Sequence, residues 1–220
     1  MHNRLFCVLI GYAFGLLQTG YIYGRLQGID IRTKGSGNSG TTNAMRVMGF
    51  KAGVIVFAGD CAKCVLACIA VGLLYCRGSV YRGAFELYML YTGLGVILGH
   101  DFPLYMNFKG GKGIAATAGL AIVLDLRLAA ACFIIFGLVI YKSRYVSLGS
   151  VTATASFTLI WIAFVLTETV ALTASLRTEA CLLSAVISAI NIFRHRANIK
   201  RLKNGTENSI DDKNKKPKSK

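Results

Sequence analysis

Gly110, Gly111, Lys112 and Gly113 set glycines around one lysine, where an anion could be held. Glycine has no Cβ, so backbone N–H groups can come close to a bound group. A run of such N–H groups beside an ammonium makes a concave anion site. Gly113 also opens an apolar run, and the positive end of a helix starting there would face the same spot. The spacing is not that of a P-loop, because Gly113 stands where Ser or Thr should follow the lysine. The plainer alternative is a basic loop at a membrane surface.

Other stretches could act with it. Gly35 to Arg46 is mostly Gly, Ser, Thr and Asn, and includes Ser36, Asn38 and Asn43. Small hydroxyls and amides supply neutral donors, and arginine grips phosphate through paired N–H groups. A flexible Gly/Ser linker is the competing reading. Near the chain end, His195, Arg196, Asn198, Lys200 and Arg201 stand close together. A juxtamembrane anchor for anionic lipid accounts for the basic residues, but His195 and Asn198 are not needed for charge. The stretch Tyr141 to Ser150 reads as a further polar loop with hydroxyls at Ser147 and Ser150. His100, followed at once by Asp101, Phe102 and Pro103, reads as a turn-stabilising histidine rather than a base.

The elements that must position these residues are apolar. Of 220 residues 54% are hydrophobic, the mean hydropathy is +0.53 and only two are proline. Runs near 18 apolar residues mark an all-α, polytopic membrane protein. Helices are expected over 5–24 (retained rather than cleaved), 51–76, 84–99, 151–170 and 178–193. Two shorter runs, 114–126 and 128–141, are separated by Asp125-Leu126-Arg127 and read as a hairpin of short or partly re-entrant helices. Asp60 and Lys63 share one face of the second helix. At roughly 14 Å from Lys51 they lie near the bilayer midplane, where charges pair and face inward. Residues 1–207 read as one transmembrane domain, and 208–220 as a disordered, lysine-rich tail.

The formal net charge is +15. In a membrane protein that excess belongs to loops on one side and to anionic lipid, so nucleic acid is not an expected partner. The seven cysteines lie in or beside apolar runs, which argues against a disulfide framework. Cys61 and Cys64 form a C-x-x-C without a second ligand pair, so no metal is expected.

Seven crossings with a cytoplasmic C-terminus and an outer N-terminus place the loops 25–51, 100–112, 142–149 and 194–220 on one side. They hold 19 of the 25 Lys and Arg residues, against Arg4, Arg77, Arg82, Arg127 and Arg177 on the other side. That split satisfies the positive-inside rule, and it gathers every Gly/Ser/Asn/Lys/Arg/His cluster at one face.

The stretches G-S-G-N-S-G-T-T-N-A-M-R (35–46), G-H-D-F-P-L-Y-M-N-F-K-G-G-K-G (99–113) and H-R-A-N-I-K-R-L-K-N-G-T-E (195–207) resemble the motifs of the bacterial acyl-phosphate:glycerol-3-phosphate acyltransferases, the PlsY family. The likeness in order, spacing and membrane pattern covers residues 4–207. Departures are small: Ser39 and Thr41 replace an apolar residue and alanine, and Thr117 stands one place late. The resemblance implies transfer of a fatty acyl group from acyl phosphate to the 1-hydroxyl of sn-glycerol 3-phosphate. The products would be 1-acyl-glycerol 3-phosphate and phosphate, at the cytoplasmic face of a bacterial inner membrane. It also implies a functional partner that forms acyl phosphate, and no cofactor. By similarity His195, Asn198 and Lys112 would be catalytic. Ser36, Asn38, Asn43, Arg46, Gly110, Gly111, Gly113 and Ser150 would bind substrate, with Asn38 and Asn43 shaping the first loop. His195 or a substrate phosphate would be the base. The H-x-x-x-x-D pair of the soluble-type acyltransferases is missing at His2, His100 and His195.

Overall fold

The computed structural model describes residues 2–76 and 83–211, and all regular structure among them is helical. Arg77, Arg82 and the tail beyond Asp211 lie outside the described residues. The helices are α1 (His2–Gly15), α2 (Thr19–Leu26), α3 (Thr41–Met48), α4 (Phe50–Tyr75), α5 (Phe85–Asp101), α6 (Ile114–Leu124), α7 (Leu126–Ser143), α8 (Val146–Leu166), α9 (Arg177–Arg194) and α10 (Arg196–Lys203). Among the described residues, five stretches are long and apolar enough to cross a membrane: Asn3–Leu26, α4, α7, α8 and Ala174–Arg194.

The first apolar run is not one continuous helix. It breaks at Leu16–Gln18, and the carbonyls freed there need donors, because lipid offers none. Lys63 supplies them: its Nζ lies 2.7 Å from the Leu17 carbonyl and 3.4 Å from that of Gly15. The ammonium is balanced by Asp60 at 2.9 Å, which also accepts from the Thr19 hydroxyl at 3.0 Å. The expected Asp60–Lys63 pairing is therefore present, and the broken helix is the reason two charges are tolerated at that depth. His100 completes the group with Nδ1 2.8 Å from Lys63 Nζ. Its ring is thus held by an ammonium, in keeping with a structural role.

Lipid removes the hydrophobic drive for helices to associate, so close van der Waals packing must supply it. Gly11 and Gly15 of α1 face Gly95 and Gly99 of α5. A Cβ at any of them would strike backbone of the opposite helix. The two helices thus pack side by side, running in the same direction. Cys7, Cys64, Cys68, Leu90, Leu120, Trp161 and Ile187 fill the shared core.

Other expected boundaries shift. The loop 25–50 contains α3, so Arg46 sits on a helix. Asp125 caps α7 through the N–H groups of Arg127 and Leu128. That lets α7 run 18 residues and leaves only α6 short at 11. The polar stretch 141–150 is not a loop, because α7 continues to Ser143 and α8 begins at Val146. Ser147 and Ser150 therefore occupy the first turns of α8, with the Ser150 hydroxyl bonded 2.9 Å to the Val146 carbonyl. Ser209, Ile210 and Asp211 fold back on Arg144, whose guanidinium pairs with Asp211 at 2.7 Å.

Candidate active site

One end of the bundle collects the loops between α2 and α4, between α5 and α6, and the chain from His195 onward. The first loop meets the second directly: the Asn38 amide donates to the Gly110 carbonyl at 3.0 Å. The second meets the last: Lys112 Nζ donates to Asn198 Oδ1 at 2.6 Å. Asn198 is turned by Glu207, which accepts from its Nδ2 at 2.7 Å and from Arg201 at 2.7 Å.

Within the first loop most polar groups are spent on the loop itself. Asn43 Nδ2 faces the carbonyls of Asn38, Lys34 and Ile31, while its Oδ1 accepts the Ser36 N–H at 2.9 Å. Asn38 accepts from the Gly40 N–H as well as bonding Gly110. These asparagines hold the backbone turn in place of regular structure. Buried Ser39 bonds Gln18, tying the loop to the break in the first helix. That leaves the exposed Ser36 side chain and Arg46, which has no ion pair among the described residues.

The glycine loop departs from the simple cradle expected of it. The N–H groups of Gly110 and Gly111 are spent on the carbonyls of Asp101 and His100, at 3.1 and 2.9 Å. A side chain at Gly110 would strike the His100 carbonyl, and one at Gly111 the His100 ring. These two glycines are needed for a close fold-back on the end of α5. Gly113 is left-handed, with φ 72°, and lies against Asn191; it sets the start of α6. The N–H groups open to an anion therefore begin at Lys112.

Charge is concentrated here. Burial lowers the Lys112 pKa from 10.5 to about 8; Arg201, Arg194 and Arg46 push the same way, and Glu207 opposes them. Burial also raises the Glu207 carboxyl, but hydrogen bonds from Asn198 and Arg201 outweigh it and keep its pKa below the usual value. His195 is buried, which pushes its pKa down to about 4 and keeps the ring neutral. Its Nδ1 lies 2.8 Å from the Asn191 carbonyl. A carbonyl can only accept, so Nδ1 carries the proton and Nε2 keeps a lone pair.

An apolar groove opens below the N-terminus of α6. Its lining includes Phe57, Ile114, Thr117, Phe133, Phe136 and Phe157. Ile114 follows Gly113 directly, so the groove's polar end meets the cationic cluster. Ser150 stands one helical turn from the groove residue Thr154. The arrangement can hold a phosphate group above and an alkyl chain below.

The sequence reading missed Arg194 and Glu207. Arg194 donates to the Gly111 carbonyl at 2.8 Å and stacks on Phe102 at 4.9 Å. A basic residue at the end of a membrane helix reads as a lipid anchor, which hid it.

Comparison with known proteins matches this geometry to one family. A family model described as glycerol-3-phosphate acyltransferase covers residues 5–205. The glycerol-3-phosphate acyltransferase of Geotalea daltonii is 34% identical over 94% of this chain and 98% of its own length. That of Bacillus subtilis is 35% identical over 92% and 95%. The crystal structure of PlsY, an integral membrane glycerol 3-phosphate acyltransferase, superposes in its glycerol 3-phosphate form with TM-score 0.79 at 33% identity, over 94% of this chain and 95% of that one. Its lysophosphatidic acid form gives TM-score 0.76 at 34% identity, over 94% of each chain. The chain belongs to the glycerol-3-phosphate acyltransferase family.

Proposed function

We propose that this chain transfers a fatty acyl group from acyl phosphate to the 1-hydroxyl of sn-glycerol 3-phosphate, releasing 1-acyl-glycerol 3-phosphate and inorganic phosphate. The observation that carries this reading is the meeting of Lys112, Arg46 and Arg201 with neutral His195, beside a groove lined by apolar side chains. Both substrates carry phosphate, so several cations have work to do, and the acyl chain needs an apolar slot. The relatives are glycerol-3-phosphate acyltransferases, which supports the acceptor. The donor rests on the motif resemblance and on the clustered cations.

Acyl phosphate is a mixed anhydride and already activated. The glycerol hydroxyl oxygen attacks the acyl carbon, a C–O bond forms, and the bond from the acyl carbon to the phosphate oxygen breaks. Phosphate leaves with the electron pair. The hydroxyl proton passes to a phosphate oxygen or to His195 Nε2. With so low a pKa, His195 serves best as an acceptor that orients the hydroxyl. Lys112 and Arg46 hold the anionic groups and stabilise charge building on the leaving phosphate. Ser36 offers an exposed hydroxyl; Ser150, buried with its O–H donated to Val146, offers only its oxygen as an acceptor, and Asn198 steers Lys112. Positioning and charge supply the rate, so no covalent intermediate is needed.

The reading includes seven crossings, an outer N-terminus, and a site at the cytoplasmic face of a bacterial inner membrane. The excess of Lys and Arg around the site supports that orientation. An acyl-phosphate-forming enzyme is the functional partner it requires. A transporter of organic phosphates is disfavoured, since the carbonyls at the broken helix already hold the Lys63 ammonium where a transported cation would sit. The test gives purified protein in detergent glycerol 3-phosphate with either palmitoyl phosphate or palmitoyl-CoA, and reads phosphate release from the first and free CoA thiol from the second. Release from palmitoyl phosphate alone is expected, and turnover of the CoA thioester instead would overturn the donor.

A further inference from the structure

We infer that Arg194 is a positioning residue of the phosphate site, aiming the Lys112 N–H at the substrate by holding the carbonyl on the other side of the same peptide. The inference deepens the proposed function and rests on it for the ligand, glycerol 3-phosphate.

Arg194 ends α9 and its side chain is 17% exposed. Its Nε and Nη2 donate to the Gly111 carbonyl at 3.2 and 2.8 Å, and Nη2 reaches the Gly110 carbonyl at 3.4 Å. The guanidinium lies over the Phe102 ring at 4.9 Å. Asp101 sits 3.7 Å away, wholly buried, and neither of its carboxylate oxygens has a hydrogen-bond partner among the described residues. Its carboxyl lies beside the guanidinium without a hydrogen bond, so the N–H groups of Arg194 stay on the loop carbonyls.

A trans peptide points its C=O and N–H in opposite directions. The Gly110–Gly111 peptide shows the consequence: its carbonyl faces Asn38 and Arg194, and its N–H faces the His100 carbonyl. The next peptide has its Gly111 carbonyl on Arg194, so the Lys112 N–H points away from Arg194, and no acceptor among the described residues takes it. Without Arg194 that carbonyl is free to turn toward the cation cluster, where it would compete with phosphate for Lys112. The planar fork of arginine suits the task, because one group reaches both carbonyls while stacked on a ring. A lysine ammonium lacks the planar fork, so it could not hold both carbonyls while lying flat over the ring.

The experiment uses the full chain in detergent, with Arg194→Gln, Arg194→Lys and the double variant Asp101→Asn/Arg194→Gln. The double variant avoids stranding a lone buried carboxylate, which could prevent folding. Titration with glycerol 3-phosphate in the absence of donor reads affinity, amide exchange over residues 109–115 reads the loop, and steady-state turnover separates KM from kcat. Expected is a rise in Kd and KM for glycerol 3-phosphate on the order of tenfold to a hundredfold in both Gln variants. Faster exchange at Gly110 and Gly111, whose N–H groups are bonded to Asp101 and His100, should accompany it, with kcat changed by no more than about threefold. Lys at 194 should recover part of the affinity. Wild-type affinity and exchange in the double variant would overturn the inference, as would faster exchange with unchanged affinity. A collapse of kcat at unchanged KM would also overturn it, by placing Arg194 on the transferred group. Failure of the wild type to bind glycerol 3-phosphate would instead remove the proposed function, and with it the ligand for which the loop is held.

Discussion

The loop over 35–46 and the segment over 191–207 carry similar residue types, amides and hydroxyls beside arginine, and use them in opposite ways. In the first, Asn43 spends both ends of its amide on backbone of its own loop, and Asn38 bridges to Gly110. In the second, amide and charge meet in series: Lys112 on Asn198, Asn198 on Glu207, Glu207 on Arg201. Satisfied amides make a frame. A half-buried ammonium with its pKa pushed down to about 8, among further cations, suits an anion.

The contrast breaks most sharply at Lys112. Lys112→Ala should cut kcat/KM by on the order of a hundredfold to a thousandfold with little change in melting temperature, since it removes charge stabilisation at the reacting centre. Turnover at the wild-type level would refute the role. Asn43→Ala should do the reverse. It leaves the Ser36 N–H and several carbonyls without partners, at a cost of about 1–3 kcal/mol. Melting temperature and activity should then fall together, and loss of activity at full stability would move Asn43 from frame to substrate contact.

The pH profile separates the two regions again. Lys112 is charged below about pH 8 and neutral above it. As pH rises through that value the free enzyme loses the cation, so kcat/KM for glycerol 3-phosphate should fall with a slope of one proton. Lys112→Arg should remove that limb, because guanidinium keeps its proton. His195, with its pKa pushed down to about 4, should add no inflection near 6.5. An alkaline limb that survives Lys112→Arg would assign it to another group.

Helix length and composition made α4, α8 and α9 readable, because a bilayer demands long apolar runs and little else looks like one. The break in the first run was not readable as such, since Leu16 and Leu17 continue the apolar pattern through it. The trace it left elsewhere was Asp60 and Lys63, a charged pair needing a purpose at membrane depth. Helix α3 was hidden because Thr41, Thr42 and Asn43 favour turns when alone, and packing on α4 overrides that preference. The stretch 141–150 read as a loop for its hydroxyls, yet Ser150 satisfies its own within the helix through the Val146 carbonyl. At the site, residue types announced an anion, but the sequence could not say which glycine N–H groups were already taken. That depends on how the loop folds back on α5, a contact between residues separated by a turn of irregular backbone.

The smallest effect tests where the frame ends. Ser209, Ile210 and Asp211 bond Arg144 at the α7–α8 corner, a turn away from Ser147, which faces Glu207. The Arg144–Asp211 pair is about half exposed on each side, at 47% and 58%, so solvent and salt weaken it. Removing residues 212–220 should leave kcat and KM unchanged in detergent. Cutting at 208 should change them by no more than about twofold to threefold, by loosening the chain that carries Glu207. Arg144→Ala should reproduce part of the effect of the cut at 208, and the two together should not add, because the cut already removes the Asp211 partner of that ion pair. Additive losses would mean that the last residues serve the site by a route other than Arg144. A large loss from the 212–220 deletion alone would place the edge of the functional unit in the lysine-rich tail.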